Sequence, residues 1–86
     1  LMPIPMHQHI EGRTSAAAYQ ARFRELAVSS GAMLHDPLKD LQSYTADEKR
    51  GFRFKNDVHP TMKGHRALAE SLAPAIHSAL SRETVL

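Results

Sequence analysis

The run from Asn56 to Ala73, NDVHPTMKGHRALAESLA, places a histidine two residues after an acid and directly ahead of a helical pattern. An imidazole with its ordinary pKa of about 6.5 gains and loses a proton around neutrality, which suits general acid–base work. The positive end of a helix favours the neutral ring, the form a general base needs. A carboxylate pulls the other way: it orients the ring and stabilises the imidazolium once a nucleophile has handed over its proton. Asp57 stands where a turn can fold it back toward His59. Pro60 stiffens the exit from that turn, and Thr61 can cap the helix. Gly64 lets the first helical turn come close to another element. The plainer reading of the same residues is a surface histidine beside a helix cap.

Other chemistry-bearing residues are sparser. His7-Gln8-His9 has the His-x-His pattern of some metal sites, with His35 as a third candidate. Zinc needs three or four ligands, and no carboxylate or further ligand stands at a firm spacing, so no metal and no cofactor is expected. These histidines read better as a loop at the rim of a site, beyond the carboxyl end of a strand. KRGFRFK, Lys49 to Lys55, interleaves base with aromatic, as single-strand nucleic-acid platforms do. One short run without a second patch reads as an exposed basic face over two inward phenylalanines. His65, one turn into the last helix, falls on the apolar stripe and reads as a packing residue.

Eighty-six residues with no cysteine and a net charge of +2 make one small domain, without disulfides or a cysteine-based zinc site. The basic excess is too slight to imply nucleic acid. No apolar run approaches the roughly twenty residues that cross a bilayer.

Elements able to position His59 follow from periodicity. Leu1 to Ile4 and Ala32 to Asp36 are short apolar runs, each closed by a proline, and read as strands. Between them a helix is expected from Ala16, with Tyr19, Phe23, Leu26 and Ala27 on one stripe and Gly31 at its C-terminal cap. Strand, helix, strand with such short connections predicts a βαβ unit with parallel strands and a right-handed crossover. Thr45 to Glu48 matches a capping box and predicts a brief helical turn. GFRFK reads as an extended piece with Phe52 and Phe54 on one side. The last helix is expected from about Thr61 to Ser81, its stripe made by His65, Leu68, Ala69, Leu72, Ile76 and Leu80. A proline costs about 3 kcal/mol inside a helix, so a kink or break is expected at Pro74.

DVHPTMKGHRALAESL resembles the final block of the SGNH (GDSL-type) serine hydrolases: an acid, His-Pro, a small polar residue, then Gly-His and the domain's last helix. LMPIP, the Tyr-and-Phe helix and MLHDP are similar to that family's last third, so the resemblance covers nearly the whole chain, although only the His59 block is specific. It implies an α/β fold, the C-terminal βαβ-α portion of a flavodoxin-like three-layer sandwich. Residues 1–86 would then be the C-terminal part of one hydrolase-like domain. It further implies serine acyl transfer on an ester substrate, by an esterase, acylhydrolase or acyltransferase. His59 would be the base for a serine in an early Gly-Asp-Ser motif. That serine's amide, a glycine and an asparagine would form the oxyanion hole.

Two departures bear on that implication. The family's acid usually lies three residues before the histidine, where this chain has Asn56; Asp57 has the Asp-x-His spacing of the alginate acetyltransferase-like and peptidoglycan acetyltransferase-like branches. The choice matters, because Asp-to-Asn in a serine-protease triad costs about four decades of rate. Moreover, none of the chain's serines follows Gly-Asp, so this polypeptide carries a base without its nucleophile and is expected to be inactive alone. A two-stranded parallel sheet with one bare face also points to a missing N-terminal portion. The expected partners are therefore an ester substrate and either a complementing N-terminal segment or a second copy in a homodimer. Nucleic acid and membrane are not expected. The alternative from a different class is a non-enzymatic interaction or dimerisation module.

Overall fold

The computed structural model describes residues 1–55 and 59–84, the side chains of 82–84 excepted. Among the described residues five helices follow one another: α1 (His7–Ile10), α2 (Ala17–Ser30), α3 (Leu38–Gln42), α4 (Ala46–Arg50) and α5 (Met62–Thr84). About 62% of the described residues are helical and no sheet is present among them, so the expected α/β flavodoxin-like sandwich is wrong for this chain.

Both expected strands are instead extended coil that meets at a single point. The Leu1 amino group donates to the Met33 carbonyl at 2.7 Å, and the His35 N–H donates to the Leu1 carbonyl at 2.8 Å. Bonds on either side of Leu34 are those of one parallel rung, but no second rung follows. Two parallel strands alone bury too little and leave too many backbone groups unpaired to hold a ladder. The one isolated bridge lies elsewhere, between Arg53 and Pro60, and is antiparallel.

Local signals act as expected where a single turn decides them. Gly31 takes the left-handed conformation at φ 73° and ends α2. Thr45 and Glu48 close the capping box on α4: the Glu48 N–H donates to Thr45 Oγ1 at 3.2 Å, and the Thr45 N–H to Glu48 Oε1 at 3.1 Å. Asp36 opens α3, accepting from the Leu38 N–H at 3.0 Å, and takes a second bond from Gln20 Nε2 at 2.8 Å. That second bond ties α2 to the α3 entrance.

The core is small: Ile10, Ala16, Leu38, Leu41, Phe52, Ala67 and Leu68, with Tyr19 and Tyr44 packed against it. Tyr44 meets Phe52 edge-on, ring centres 5.1 Å apart. None of the α2 stripe is buried, so Phe23, Leu26 and Ala27 are half-covered rather than core. The Tyr19 hydroxyl is enclosed without a hydrogen-bond partner. Burial, aided by the Asp36 charge, pushes its pKa up to about 12.

On α5 the buried stripe is Gly64, Ala67, Leu68 and Ser71, while His65, Ile76 and Leu80 of the expected stripe are exposed. Of the expected kink or break at Pro74, a break does not occur: helix α5 runs on through it. Pro74 and Glu70 both face solvent, so water can satisfy the Glu70 carbonyl that loses its helical donor. Small residues win the buried side because of one close approach. A Cβ on Gly64 would lie 2.5 Å from the Phe52 carbonyl oxygen and 3.1 Å from Pro60 Cβ. Phe52 is buried at 7% exposure, whereas Phe54 lies outside at 54%, so the two phenylalanines do not share an inward face.

The radius of gyration, 14.2 Å, exceeds the roughly 12 Å expected for a compact chain of this length, because the C-terminal half of α5 extends past the core. Gly64→Ala should therefore destabilise by about 1–3 kcal/mol, since backbone stands where the methyl would go. Urea unfolding measures this, and an unchanged midpoint would contradict the packing described.

Candidate functional site: the His59 junction and its pocket

Thr61 fixes the junction on which His59 stands. Its hydroxyl donates to the Gly51 carbonyl at 2.6 Å and accepts from the Gly64 N–H at 3.2 Å, capping α5. Its own N–H donates to the Phe52 carbonyl at 2.8 Å. That carbonyl is also the atom against which Gly64 packs. With the Arg53–Pro60 bridge, these contacts fasten Arg53 and Pro60 to the start of α5.

His59 is exposed, immediately before Pro60. Asp57 and Asn56, between which the sequence leaves the acid open, lie outside the described residues. Pro60 lines a pocket of about 140 Å³ together with Ile4, Pro5, Met6, His7, Ile10, Leu41, Phe52, Arg53, Gly64 and Leu68. The walls are mostly apolar, with His7 and Arg53 as the polar groups.

Charge at this pocket is organised by Glu11. Arg53 Nε donates to its carboxylate at 2.7 Å, and the guanidinium makes a second contact of 3.3 Å. The Arg53 hydrogen bond holds the Glu11 pKa below its ordinary value despite burial, with the Arg53 and Arg13 charges acting in the same sense. The Arg13 guanidinium donates to His7 Nδ1 at 2.8 Å. Glu11 Oε2 is 3.6 Å from that nitrogen, too far for a competing hydrogen bond. Because arginine only donates, His7 Nδ1 is an acceptor and the neutral ring carries its proton on Nε2.

Sequence reasoning placed His7 and His9 at a common rim, and the structure separates them. His7 lines the pocket, while His9 packs edge-on against Tyr19 at 5.0 Å with its Nδ1 enclosed and unpartnered. His35 is farther along, bound to Ser71. Among the described residues no group of three or more His, Asp or Glu side chains could hold a metal ion.

The His35 contact belongs to an array that sequence reasoning missed. Ser71 Oγ donates to Asp40 Oδ2 at 2.6 Å and lies 2.8 Å from His35 Nε2. With its one proton committed to Asp40, the serine accepts from His35 Nε2–H. A nucleophilic serine needs the reverse, a histidine that takes its proton. Serine, histidine and aspartate are thus joined in the wrong order for nucleophilic catalysis, and Ser71 is nearly enclosed at 7% exposure. The array ties the 33–36 segment, α3 and α5 together. Only a polar residue on the Gly64–Ala67–Leu68 stripe could have signalled it. The Glu11–Arg53 pair spans 42 residues and has no local signal at all.

No family model, curated protein or solved structure matches the chain. Its functional reading therefore rests on its own residues.

A depressed carboxylate contributes stability above its unfolded-state pKa and loses it as pH falls through the folded-state value. Glu11→Gln should accordingly lower stability at neutral pH. Its difference from wild type should shrink as pH drops through and below the ordinary carboxylate range. Thermal melts at a series of pH values measure this, and a difference independent of pH would contradict the pairing.

Proposed function

We propose that this chain supplies the base-bearing portion of a serine acyl-transfer site acting on ester bonds, with His59 as general base and then general acid. One observation carries the reading. An exposed histidine stands on a junction fastened by Thr61, Phe52 and Gly64, at the start of a long helix and next to an apolar pocket. In the first step the serine proton passes to His59 as the serine oxygen attacks the ester carbonyl. In the second, His59 returns that proton to the departing alcohol. The serine and the oxyanion donors come from outside these residues, in a longer parent protein, as the resemblance to SGNH-type hydrolases implies. Asp57 is the proposed orienter of the ring, on its Asp-x-His spacing.

Replacing His59 by alanine in the full-length protein should lower hydrolysis of a short-chain aryl ester by about 10²–10⁴-fold, the usual worth of a general base. Equal rates would remove His59 from the chemistry.

A second reading has its own observation. Leu1, Met2, Met33, Leu34, Leu72 and Ile76 line an open apolar groove, and Met33 and Ile76 are 55% and 49% exposed. Its proposed role is to bind a second copy of the chain. Sedimentation should then show a dimer that Ile76→Glu converts to monomer; a wild-type monomer across the micromolar range would exclude this reading.

A further inference from the structure

We infer that the pocket beside Pro60 binds a short acyl group of about four to six carbons, whose carbonyl or carboxylate oxygen accepts a hydrogen bond from His7 Nε2–H. The recess is about 140 Å³, close to the ~150 Å³ of an apolar cavity that takes one benzene molecule. Ile4, Ile10, Leu41, Phe52 and Leu68 provide side-chain walls that an alkyl chain can cover and that offer it no polar partner.

The polar end of the ligand is set by His7. Its ring is held as the Nε2–H tautomer by the Arg13 bond to Nδ1, and that Nε2–H makes no hydrogen bond among the described residues. His7 lines this mostly apolar recess, and its Nε2–H is open to solvent rather than enclosed, so a ligand oxygen entering the recess can replace water on it. Arg53, whose charge is met by Glu11, lies at the same wall, and Arg13 leaves the rim with a net positive charge. An acyl oxygen, neutral in an ester and anionic in a free acid, fits this setting. An ammonium ligand has no acceptor to offer, and a plain hydrocarbon leaves the donor unmet.

Calling this recess the acyl subsite of the reaction rests on the reading of His59, but the binding itself does not. Its test is a titration of the 86-residue chain with hexanoate, with methyl hexanoate and hexane as further arms, followed by methyl and histidine-ring NMR. The expected result is saturable one-to-one binding of the acid and the ester, with shifts at Ile10, Leu41, Leu68 and the His7 ring and weaker binding of hexane. His7→Phe should weaken hexanoate roughly tenfold, the worth of one hydrogen bond to a charged group. His7→Gln, which keeps a donor, should recover part of that loss. Leu68→Trp, which fills the recess, should abolish binding while the spectrum elsewhere keeps its dispersion.

Shifts that do not saturate, shifts centred on Leu34 and Ile76, or equal hexanoate affinity in His7→Phe would overturn the assignment. Binding as described alongside an undiminished rate in the full-length His59→Ala variant would instead refute the acyl-transfer reading and leave the pocket standing.

Discussion

The carbonyl oxygen of Phe52 is the atom on which this structure turns. It accepts the Thr61 N–H, and it occupies the space where any side chain on Gly64 would project. One contact therefore chooses the start of α5, the small-residue face that α5 buries, and the inward placement of the Phe52 ring. It also makes one wall of the pocket, since Phe52, Pro60 and Gly64 all line it. His59 rides on this arrangement without belonging to the core. That combination, an exposed imidazole beside a rigid attachment, is what acid–base chemistry asks of a scaffold.

Polar groups reinforce the same centre from outside. Glu11 and Arg53 join the α1 end to the loop that precedes α5, and Arg13 sets the tautomer of His7 from the far side. At the opposite end, His35, Ser71 and Asp40 fasten the 33–36 segment to α3 and α5. With a core cluster of seven residues among those described, such cross-links carry a larger part of the order than they would in a bigger domain.

What could be read from sequence depended on how far apart the deciding residues stand. Gly31, the Thr45–Glu48 box, the Thr61 cap and the need for Gly64 are decided within a turn or by one residue's shape, and each has its expected role. The strands fail because an apolar run of four or five residues looks the same whether or not a partner completes its ladder. Leu1 and Leu34 do meet, but one rung is not a sheet. The α5 stripe fails for a related reason: choosing the largest side chains points to Ile76 and Leu80, whereas the Phe52 carbonyl against Gly64 and the Asp40 and His35 contacts of Ser71 set which face is buried. At the site, the exposed position of His59 before the last helix follows the local pattern, whereas His7 stands on the short helix α1 where a loop was expected. The Glu11–Arg53 pair and the Ser71 array could not be read, because their partners are distant in the chain.

The central claim is that the His59 imidazole serves a nucleophile carried elsewhere in a longer protein. Its most direct test is to label that protein with a serine-directed phosphonate ester and determine the structure of the adduct. The account predicts one modified serine with its Oγ about 3 Å from a ring nitrogen of His59. A protein that takes no label, or a labelled serine with no imidazole of this junction in reach, would contradict it.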